Sequence, residues 1–279
     1  MKIRTVNRII RSHPSQDGDG VKISRVHGFN DAAFSPFLMI DELKSEHRED
    51  YIGGFPPHPH RGIETLTYML KGHFQHKDHM GNVGELQSGG AQWMSAGKGV
   101  IHSEMPIMSD GELHGFQIWI NLPAAKKMLP AQYHDFQSPE ITEHGSDNNL
   151  LRVIGGELSV DGQVVVGPLQ KTGVKTAVAD WRAVRGETTR LELPAEFQVN
   201  LYVYAGAVSI AGEEIPQGHF ANLGGGDVVE LMATQDAGVI LLAGQPIDEP
   251  VVHYGPFVMN SMAEINQAIE DYQNGRLTD

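Results

Sequence analysis

The sequence contains no cysteine. Disulfides, thiolate metal sites, iron–sulfur clusters and cysteine nucleophiles are therefore all excluded. Any metal site in this protein must be built from histidine and carboxylate side chains. A chain without cysteine also suits a reducing compartment.

Positive charge is scarce. Lysine and arginine total 21 against 35 aspartates and glutamates, which gives a formal net charge of −14. A surface that binds nucleic-acid phosphates needs clustered lysine and arginine. We therefore expect no direct nucleic-acid partner.

Long hydrophobic runs are also missing. Residues 1–20 lack the continuous apolar segment of a signal peptide. No stretch approaches the roughly 20 apolar residues that a membrane-spanning helix needs. These features predict a soluble, cytoplasmic protein with no membrane partner.

Glycine is abundant and proline is common, and both fall between short apolar stretches. Those stretches have the length and the β-branched and aromatic composition of strands: 65–70, 116–122, 151–155, 197–206 and 238–244. Many short strands separated by turns are typical of a sandwich or barrel. The fold class is therefore mostly β. A helix is predicted within 260–275, where Asn260 or Ser261 can cap it and Gly275 can end it.

A comparison of the chain with itself suggests two related halves. Residues 90–104 align with 218–232 through matched glycines and valines. The alignment favours two β-barrel-like domains, 1–135 and 136–279, the second carrying the C-terminal helix. The alternative is two unrelated β folds that share a glycine pattern. Opposite the candidate ligands of the first half, described next, the second half has residues that cannot form the same set, so we expect it to bind no metal: Glu192, Pro194, Glu230 and Met232.

Four side chains of the first half form two pairs with one residue between the members: His58 and His60, then His102 and Glu104. In a strand, residues i and i+2 project to the same face. If both strands belong to one barrel and both pairs point inward, three imidazoles and a carboxylate converge. Such a set suits Fe(II), and also Zn, Ni, Cu or Mn. We predict about one metal ion per chain, with Fe(II) favoured.

Other residues compete for these roles. His73, His76 and His79 form a second histidine-rich group, but their spacing fits neither one strand face nor a helix. We expect them to lie solvated in a hairpin and to bind no metal. Glu64 stays open as a further ligand, because it follows the first histidine pair at four residues.

The stretches 55-FPPHPHRGIETLTYMLKG-72, 92-QWMSAGKGVIHSEMP-106 and 114-HGFQIWINLP-123 closely resemble the pirin family of the cupin superfamily. The second half is similar through 216-PQGHFANL-223 and 253-HYGPFVMNS-261. The resemblance implies a bicupin: two antiparallel β-barrel domains of the double-stranded β-helix type, with a short C-terminal helix. It also implies that the metal ligands are His58, His60, His102 and Glu104, with Glu64 beside the ligands rather than among them.

Family resemblance implies two functions. Some members carry quercetin 2,3-dioxygenase activity and cleave a flavonol with O2, releasing carbon monoxide; we favour this one. A small aromatic, flavonol-like substrate would then bind beside the metal, and Glu104 would take its proton. The alternative is a non-catalytic, iron-binding and redox-responsive regulator that acts through protein partners. We expect a monomer in either case. Candidates for the apolar wall of the substrate site are Phe55, Met94, Phe116, Ile118 and Trp119.

Overall fold

The structure is a computed structural model, and it describes residues 1–108 and 110–279. In this part of the chain β-strands dominate, as the sequence predicts. The helices found there are α1 (Ala124–Lys127) and α2 (Met262–Gln273), together with two single turns of 3-10 helix at Arg48–Asp50 and Ser138–Glu140. No helix among the described residues has the length and the hydrophobicity that crossing a membrane requires.

The strands of the first half are short and follow one another closely. In chain order they are β1 (Val6–Arg11), β2 (His13–Asp17), β3 (Val21–His27), β4 (Phe37–Ser45), β5 (Phe55–His60), β6 (Ile63–Lys71), β7 (His73–Asp78), β8 (Val83–Gln87), β9 (Ala91–Ser95), β10 (Val100–Pro106), β11 (Leu113–Asn121) and β12 (Gln132–Phe136).

The second half has the same character. Its strands are β13 (Thr142–Ser146), β14 (Asn149–Gly155), β15 (Glu157–Val160), β16 (Gln163–Val166), β17 (Thr176–Ala183), β18 (Thr188–Glu192), β19 (Gln198–Ala205), β20 (Ala207–Ile210), β21 (Glu213–Pro216), β22 (His219–Leu223), β23 (Val228–Ala233), β24 (Ala237–Gly244), β25 (Val252–Tyr254) and β26 (Phe257–Met259).

The chain divides into two compact units whose boundaries differ from the predicted 1–135 and 136–279. We call them the N-terminal unit and the C-terminal unit. The N-terminal unit comprises Pro14–Asn30, Phe37–Pro139 and Ile247–Asp279; the C-terminal unit comprises Met1–His13, Asp31–Pro36 and Glu140–Pro246. The difference arises because the N-terminal residues pack with the second half of the chain and the C-terminal residues pack with the first half. β1 pairs antiparallel with β22, and the last 33 residues join the N-terminal unit.

The N-terminal unit contains two antiparallel sheets besides the β25–β26 hairpin. Among the described residues, one has the spatial order β12-β9-β6-β11-β4-β3-β2 and the other β5-β10-β7-β8. Apolar side chains from both sheets, such as Met69, Phe74, Leu86 and Leu113, pack in a shared core. Because both sheets pack on this core, the inward faces of β5, β7, β10 and β11 point into the same interior. The residues His58, His60 and His102 lie on these strands.

The C-terminal unit also consists of two antiparallel sheets. In the described part of the chain their orders are β1-β22-β19-β24-β17-β14-β13 and β16-β15-β18-β23-β20-β21. Its core is a large apolar cluster that includes Trp181, Leu201, Val229 and Leu231. Two such barrel-like units establish the bicupin architecture.

The C-terminal helix forms where the sequence predicts it. Ser261 is its N-cap, and the Ser261 hydroxyl oxygen accepts a hydrogen bond of 3.3 Å from the backbone N–H of Glu264. One face of the helix buries Ile265 and Ala268 against Phe257 and Met259 of the hairpin. This packing fixes the chain on either side of Pro256, a residue that contacts the site described next.

Candidate metal centre

Two neighbouring strands carry the histidine pairs. β5 and β10 run antiparallel, and His58 lies directly opposite His102 while His60 lies opposite Val100. One ring nitrogen from each of His58, His60 and His102 lies within 4.8 Å of the other two. The ring centroids are 4.4 Å apart for His58 and His102, and 5.1 Å apart for His60 and His102. The three imidazoles predicted from the sequence therefore meet, at a separation that one metal ion can bridge.

The hydrogen bonds of these rings show which nitrogens are available. His58 Nδ1 lies 2.8 Å from the carbonyl oxygen of Pro56, and His60 Nδ1 lies 3.3 Å from that of Pro256. A carbonyl can only accept, so each Nδ1 carries the hydrogen and each Nε2 keeps a lone pair. His102 Nε2 is fully buried and has no hydrogen-bond partner. A buried imidazole nitrogen without a hydrogen-bond partner destabilises the fold unless something binds it. Three imidazole nitrogens in one place form a donor set that fits a transition metal.

Burial keeps two of these rings neutral. Desolvation, reinforced by the nearby His58, lowers the pKa of His60 to about 3. Desolvation likewise places the pKa of His102 well below its ordinary value, with further contributions from His60, His58 and His76. Only a neutral imidazole offers a lone pair. The rings are thus in the protonation state that a metal ion requires.

A glycine positions the first pair. Gly62 has a left-handed φ of 82°, and a Cβ at this position would lie 2.0 Å from the carbonyl oxygen of Val258. The neighbouring Arg61 is buried, and its guanidinium donates to Asp271 of α2 at 2.8 Å. The end of β5 is therefore held against the C-terminal segment. Pro256, which accepts from His60, belongs to that segment, and its role was missed in the sequence because it acts through a backbone carbonyl.

Glu104 lies on the same strand face as His102 but outside the three-histidine group. The Thr67 hydroxyl lies 3.0 Å from Glu104 Oε1, and Gln117 Nε2 donates to Glu104 Oε2 at 2.9 Å. Glu104 is 4% exposed and borders the same cavity as His58 and His60. Its carboxylate is thus oriented by two polar side chains from β6 and β11.

A cavity of about 750 Å³ opens in front of the histidines. One wall is aromatic. The ring of Phe29 stacks on His253 with centroids 4.1 Å apart and meets Trp119 edge-to-face at 6.0 Å. Trp119 in turn contacts His60 edge-to-face at 5.2 Å. The aromatic wall therefore extends to His60, one of the three imidazoles.

The cavity is also lined by charged side chains, and two of these, Arg25 and Asp41, stand on β3 and β4, next to the strand that carries Trp119. The Arg25 guanidinium donates to both carboxylate oxygens of Asp41, at 2.8 and 2.6 Å, and to Asp17 at 2.6 Å. All three residues line the cavity. The lining of this space therefore combines aromatic rings with charged hydrogen-bonding groups. That combination suits a flat aromatic molecule with hydroxyl groups.

The predicted apolar wall is partly wrong. Phe55 and Trp119 line the cavity, but Phe116 and Ile118 do not, since alternation along β11 turns them into the protein interior. Met94 does not line the cavity but is buried in the apolar cluster against which Phe29 and Trp119 pack. Phe29 and His253 were missed because they lie far from the motif strands in sequence.

The predicted solvation of the second histidine group fails at its central member. His73 is partly exposed and His79 is exposed, whereas His76 is only 2% exposed. His76 Nδ1 lies 3.4 Å from His102 Nδ1, and His76 Nε2 lies 3.1 Å from Asp78 Oδ2. His76 and Asp78 share the i, i+2 spacing of the ligand pairs. That pattern is visible in the sequence, but the spacing of the three histidines alone does not reveal it.

Two further expectations need correction. Thr67 on β6 contacts Glu104, and Glu64 lies three residues before Thr67. Because side chains alternate along a strand, Glu64 lies on the other face of the sheet and points away from Glu104.

The alignment of the two halves is also shifted by one residue. Glu230 and Met232 are exposed, while Val229 and Leu231 face the core of the C-terminal unit. A one-residue slip reverses the face of every side chain. That this unit binds no metal stays a prediction.

Comparison with known proteins gives a consistent result. A family model described as Pirin matches residues 20–120, and one described as Pirin C-terminal cupin domain matches residues 178–278. A Vibrio cholerae protein named provisionally as a quercetin 2,3-dioxygenase is 60% identical, over 98% of this chain and 98% of its own length. A Pseudomonas aeruginosa protein with the same provisional name is 42% identical, over 99% of each chain. The crystal structure of a quercetin 2,3-dioxygenase from Acinetobacter baumannii superposes with a TM-score of 0.90 at 30% identity, covering 99% of each chain.

Proposed function

The chain belongs to the pirin family, and from this premise we propose that it is a metal-dependent dioxygenase that cleaves a flavonol such as quercetin with O2. One observation carries the proposal. Three imidazoles meet, one of them with a buried and unpartnered Nε2, and two of the three line a cavity with an aromatic wall. The relatives whose names include quercetin 2,3-dioxygenase support the same chemistry.

His58, His60 and His102 would hold the metal through Nε2, and Glu104 would be the fourth ligand. Fe(II) is favoured for this set of nitrogen and oxygen donors, with Zn, Ni, Cu and Mn as the alternatives. When bound, the metal supplies Lewis acidity and an open position at which a flavonol and O2 react.

Substrate binding follows from the aromatic and charged side chains that line the cavity. The Phe29, Trp119 and His253 rings offer faces and edges for a planar flavonol to stack against. Asp17 and Asp41 can accept hydrogen bonds from its hydroxyl groups, and Arg25 holds both carboxylates in place. These contacts would orient the heterocycle toward the histidines.

Glu104 would take the proton of the flavonol 3-hydroxyl, because its carboxylate borders the cavity beside His58 and His60. Thr67 and Gln117 orient the carboxylate for this step. The Thr67 hydroxyl lies 3.0 Å from Glu104 Oε1 and 2.9 Å from Gln117 Oε1. Its single hydrogen can therefore turn from Glu104 to Gln117 when the carboxylate receives the proton.

The reaction balances without another reductant. One flavonol and one O2 give one ring-opened ester of two phenolic acids and one carbon monoxide; both oxygen atoms enter the products, and two carbon–carbon bonds of the heterocycle break. The experiment is steady-state turnover of quercetin by protein of known metal content. Equal consumption of quercetin and O2 with matching carbon monoxide release supports the proposal. Full metal occupancy without turnover would overturn it in favour of the regulatory alternative.

A further inference from the structure

We propose that His76 and Asp78 are positioning residues that fix the tautomer of His102, so that its Nε2 lone pair is directed at the metal. The inference rests on the proposed metal-binding function but concerns residues outside the ligand set. His76 and Asp78 reach His102 from the strand on the other side of β10 from His58.

Strand register creates this arrangement. β10 pairs with β5 on one side and with β7 on the other. His102 therefore stands between His58 on β5 and Asp78 on β7, while His76 on β7 lies opposite Glu104. The inward faces of three adjacent strands thus carry the ligands and, directly beside them, a histidine–aspartate pair. The side chains of His76 and Asp78 are 3% and 0% exposed.

Asp78 contacts His76, and His76 contacts His102. The positions of the hydrogens on both rings follow from Asp78, which is the acceptor at the end of this series. An ionised carboxylate can only accept, so Asp78 Oδ2 accepts the Nε2–H of His76 at 3.1 Å. A neutral His76 then presents a lone pair at Nδ1. His102 Nδ1, 3.4 Å away, donates its hydrogen to that lone pair. His102 Nε2 is left as a lone pair, and it is this buried atom that lacks a partner.

Both positioning residues are themselves held in place. Asp78 Oδ1 accepts from the backbone N–H groups of Met80 and Asn82, at 2.9 and 3.1 Å, which turns Oδ2 toward His76. The Asn82 side-chain amide also donates to Oδ2 at 2.8 Å. The ring of His76 stacks on Tyr133 with centroids 4.2 Å apart and an interplanar angle of 17°. The orientation of His102 is thus set by a rigid support, as outer partners of ligating histidines commonly provide.

The first test reads the tautomer in metal-free protein. Long-range proton–nitrogen NMR of histidine-labelled protein distinguishes Nδ1–H from Nε2–H. We expect native His102 to be the Nδ1–H form. Asp78→Asn keeps the shape of the side chain, but the two backbone donors retain its oxygen, so its NH2 group faces His76. This variant should shift His102 toward the Nε2–H form. An Nε2–H form in the native protein, or an unchanged tautomer in the variant, would overturn the inference.

The second test measures affinity for Ni(II), used as the probe ion, by competition with a chelator. His76→Phe keeps the aromatic stack and removes the acceptor, and we expect the Kd to rise about 10–100-fold. His76→Asn places an oxygen near the position of Nδ1 and should restore much of the affinity. His73→Phe, on the same strand but partly exposed, is the matched control and should bind as the native protein does. A Kd for His76→Phe within twofold of native contradicts the inference. If the native protein binds no Ni(II), the proposed function fails, and the tautomer measurement still decides the role of Asp78.

Discussion

His58 and His102 lie directly opposite each other on neighbouring antiparallel strands, with ring centroids 4.4 Å apart. In an antiparallel pair, directly opposed residues have the closest side chains. Two histidine-containing i, i+2 pairs on such strands therefore meet without any special loop. The centre is therefore a product of strand register.

Removing two of the three imidazoles should abolish metal binding. The native protein is expected to hold about one metal ion per chain, and His58→Ala with His60→Ala should retain only trace metal. Elemental analysis after purification and dialysis measures this. His73→Ala is the control, since that ring lies outside the group and contacts Glu85 instead. Unchanged metal content in the double variant would show that the ion is bound elsewhere.

The aromatic wall should contribute to substrate affinity rather than to the chemical step. Phe29→Ala removes the ring that stacks on His253 and meets Trp119. An aromatic contact is worth about 0.5–1.5 kcal/mol, so the KM for quercetin should rise about 2–10-fold with kcat little changed. Steady-state kinetics at matched metal content gives both values. A fall in kcat at constant KM would place Phe29 outside the substrate contact surface.

Thr67 should affect turnover through Glu104. Thr67→Val preserves the shape of the side chain and deletes the hydroxyl that lies 3.0 Å from Glu104 Oε1. A hydrogen bond to a charged group contributes about 1.5–3 kcal/mol, so kcat/KM should fall about 10–100-fold. Metal content should be unchanged. Gln117→Glu is informative beside it, because it places a second carboxylate against Glu104 and should lower turnover further. Native turnover in Thr67→Val would show that the Thr67 hydroxyl does not contribute to catalysis.

A buried lysine predicts a pH dependence of stability. Lys127 on α1 donates to the carbonyl oxygens of Gly62 and Val258 and to Asn121 Oδ1. Desolvation lowers the pKa of Lys127 to about 7 from 10.5, despite opposing contributions from Glu249 and Glu264. Between these values the unfolded chain binds more protons than the folded chain. The contribution of Lys127 to the free energy of unfolding therefore rises with pH across that window.

Lys127→Met isolates this contribution, because methionine does not titrate. Denaturant unfolding of both proteins across the window should show the native protein gaining stability relative to the variant, by at most about 1.4 kcal/mol per pH unit. Other ionisable groups cancel in the difference between the two proteins. Parallel curves would mean that the three oxygen acceptors keep Lys127 charged in the folded state throughout.

Local patterns in the sequence predicted most of the histidine centre. Side chains alternate between the two faces of a strand, so the sequence spacing places His58 and His60 on one face of their strand and His102 on the same face as Glu104. The same rule would have identified His76 and Asp78, had carboxylates been paired with histidines in that segment. The C-terminal helix was predictable for a similar reason, because its cap residue Ser261 and its periodicity are local.

What the sequence could not supply was long-range pairing. Pro256 accepts a hydrogen bond from His60, 196 residues away, and Phe29 stacks on His253 across a comparable interval. Neither partner carries a local signal. The assignment of both chain termini to the opposite unit has the same origin, since β1 pairs with β22. The face of β23 was misjudged because an alignment of glycines does not fix register to a single residue.

If the three-histidine centre supports oxygen-dependent cleavage of a flavonol, the reaction must depend on the metal and on the imidazoles that would bind it. The most direct measurement loads metal-free protein with Fe(II) and follows quercetin, O2 and carbon monoxide together. We expect turnover that needs the metal, with one O2 consumed and one carbon monoxide released per quercetin, and loss of this turnover in the His58→Ala, His60→Ala variant. Quercetin left intact by fully loaded native protein, or carbon monoxide released equally by that variant, would contradict this expectation.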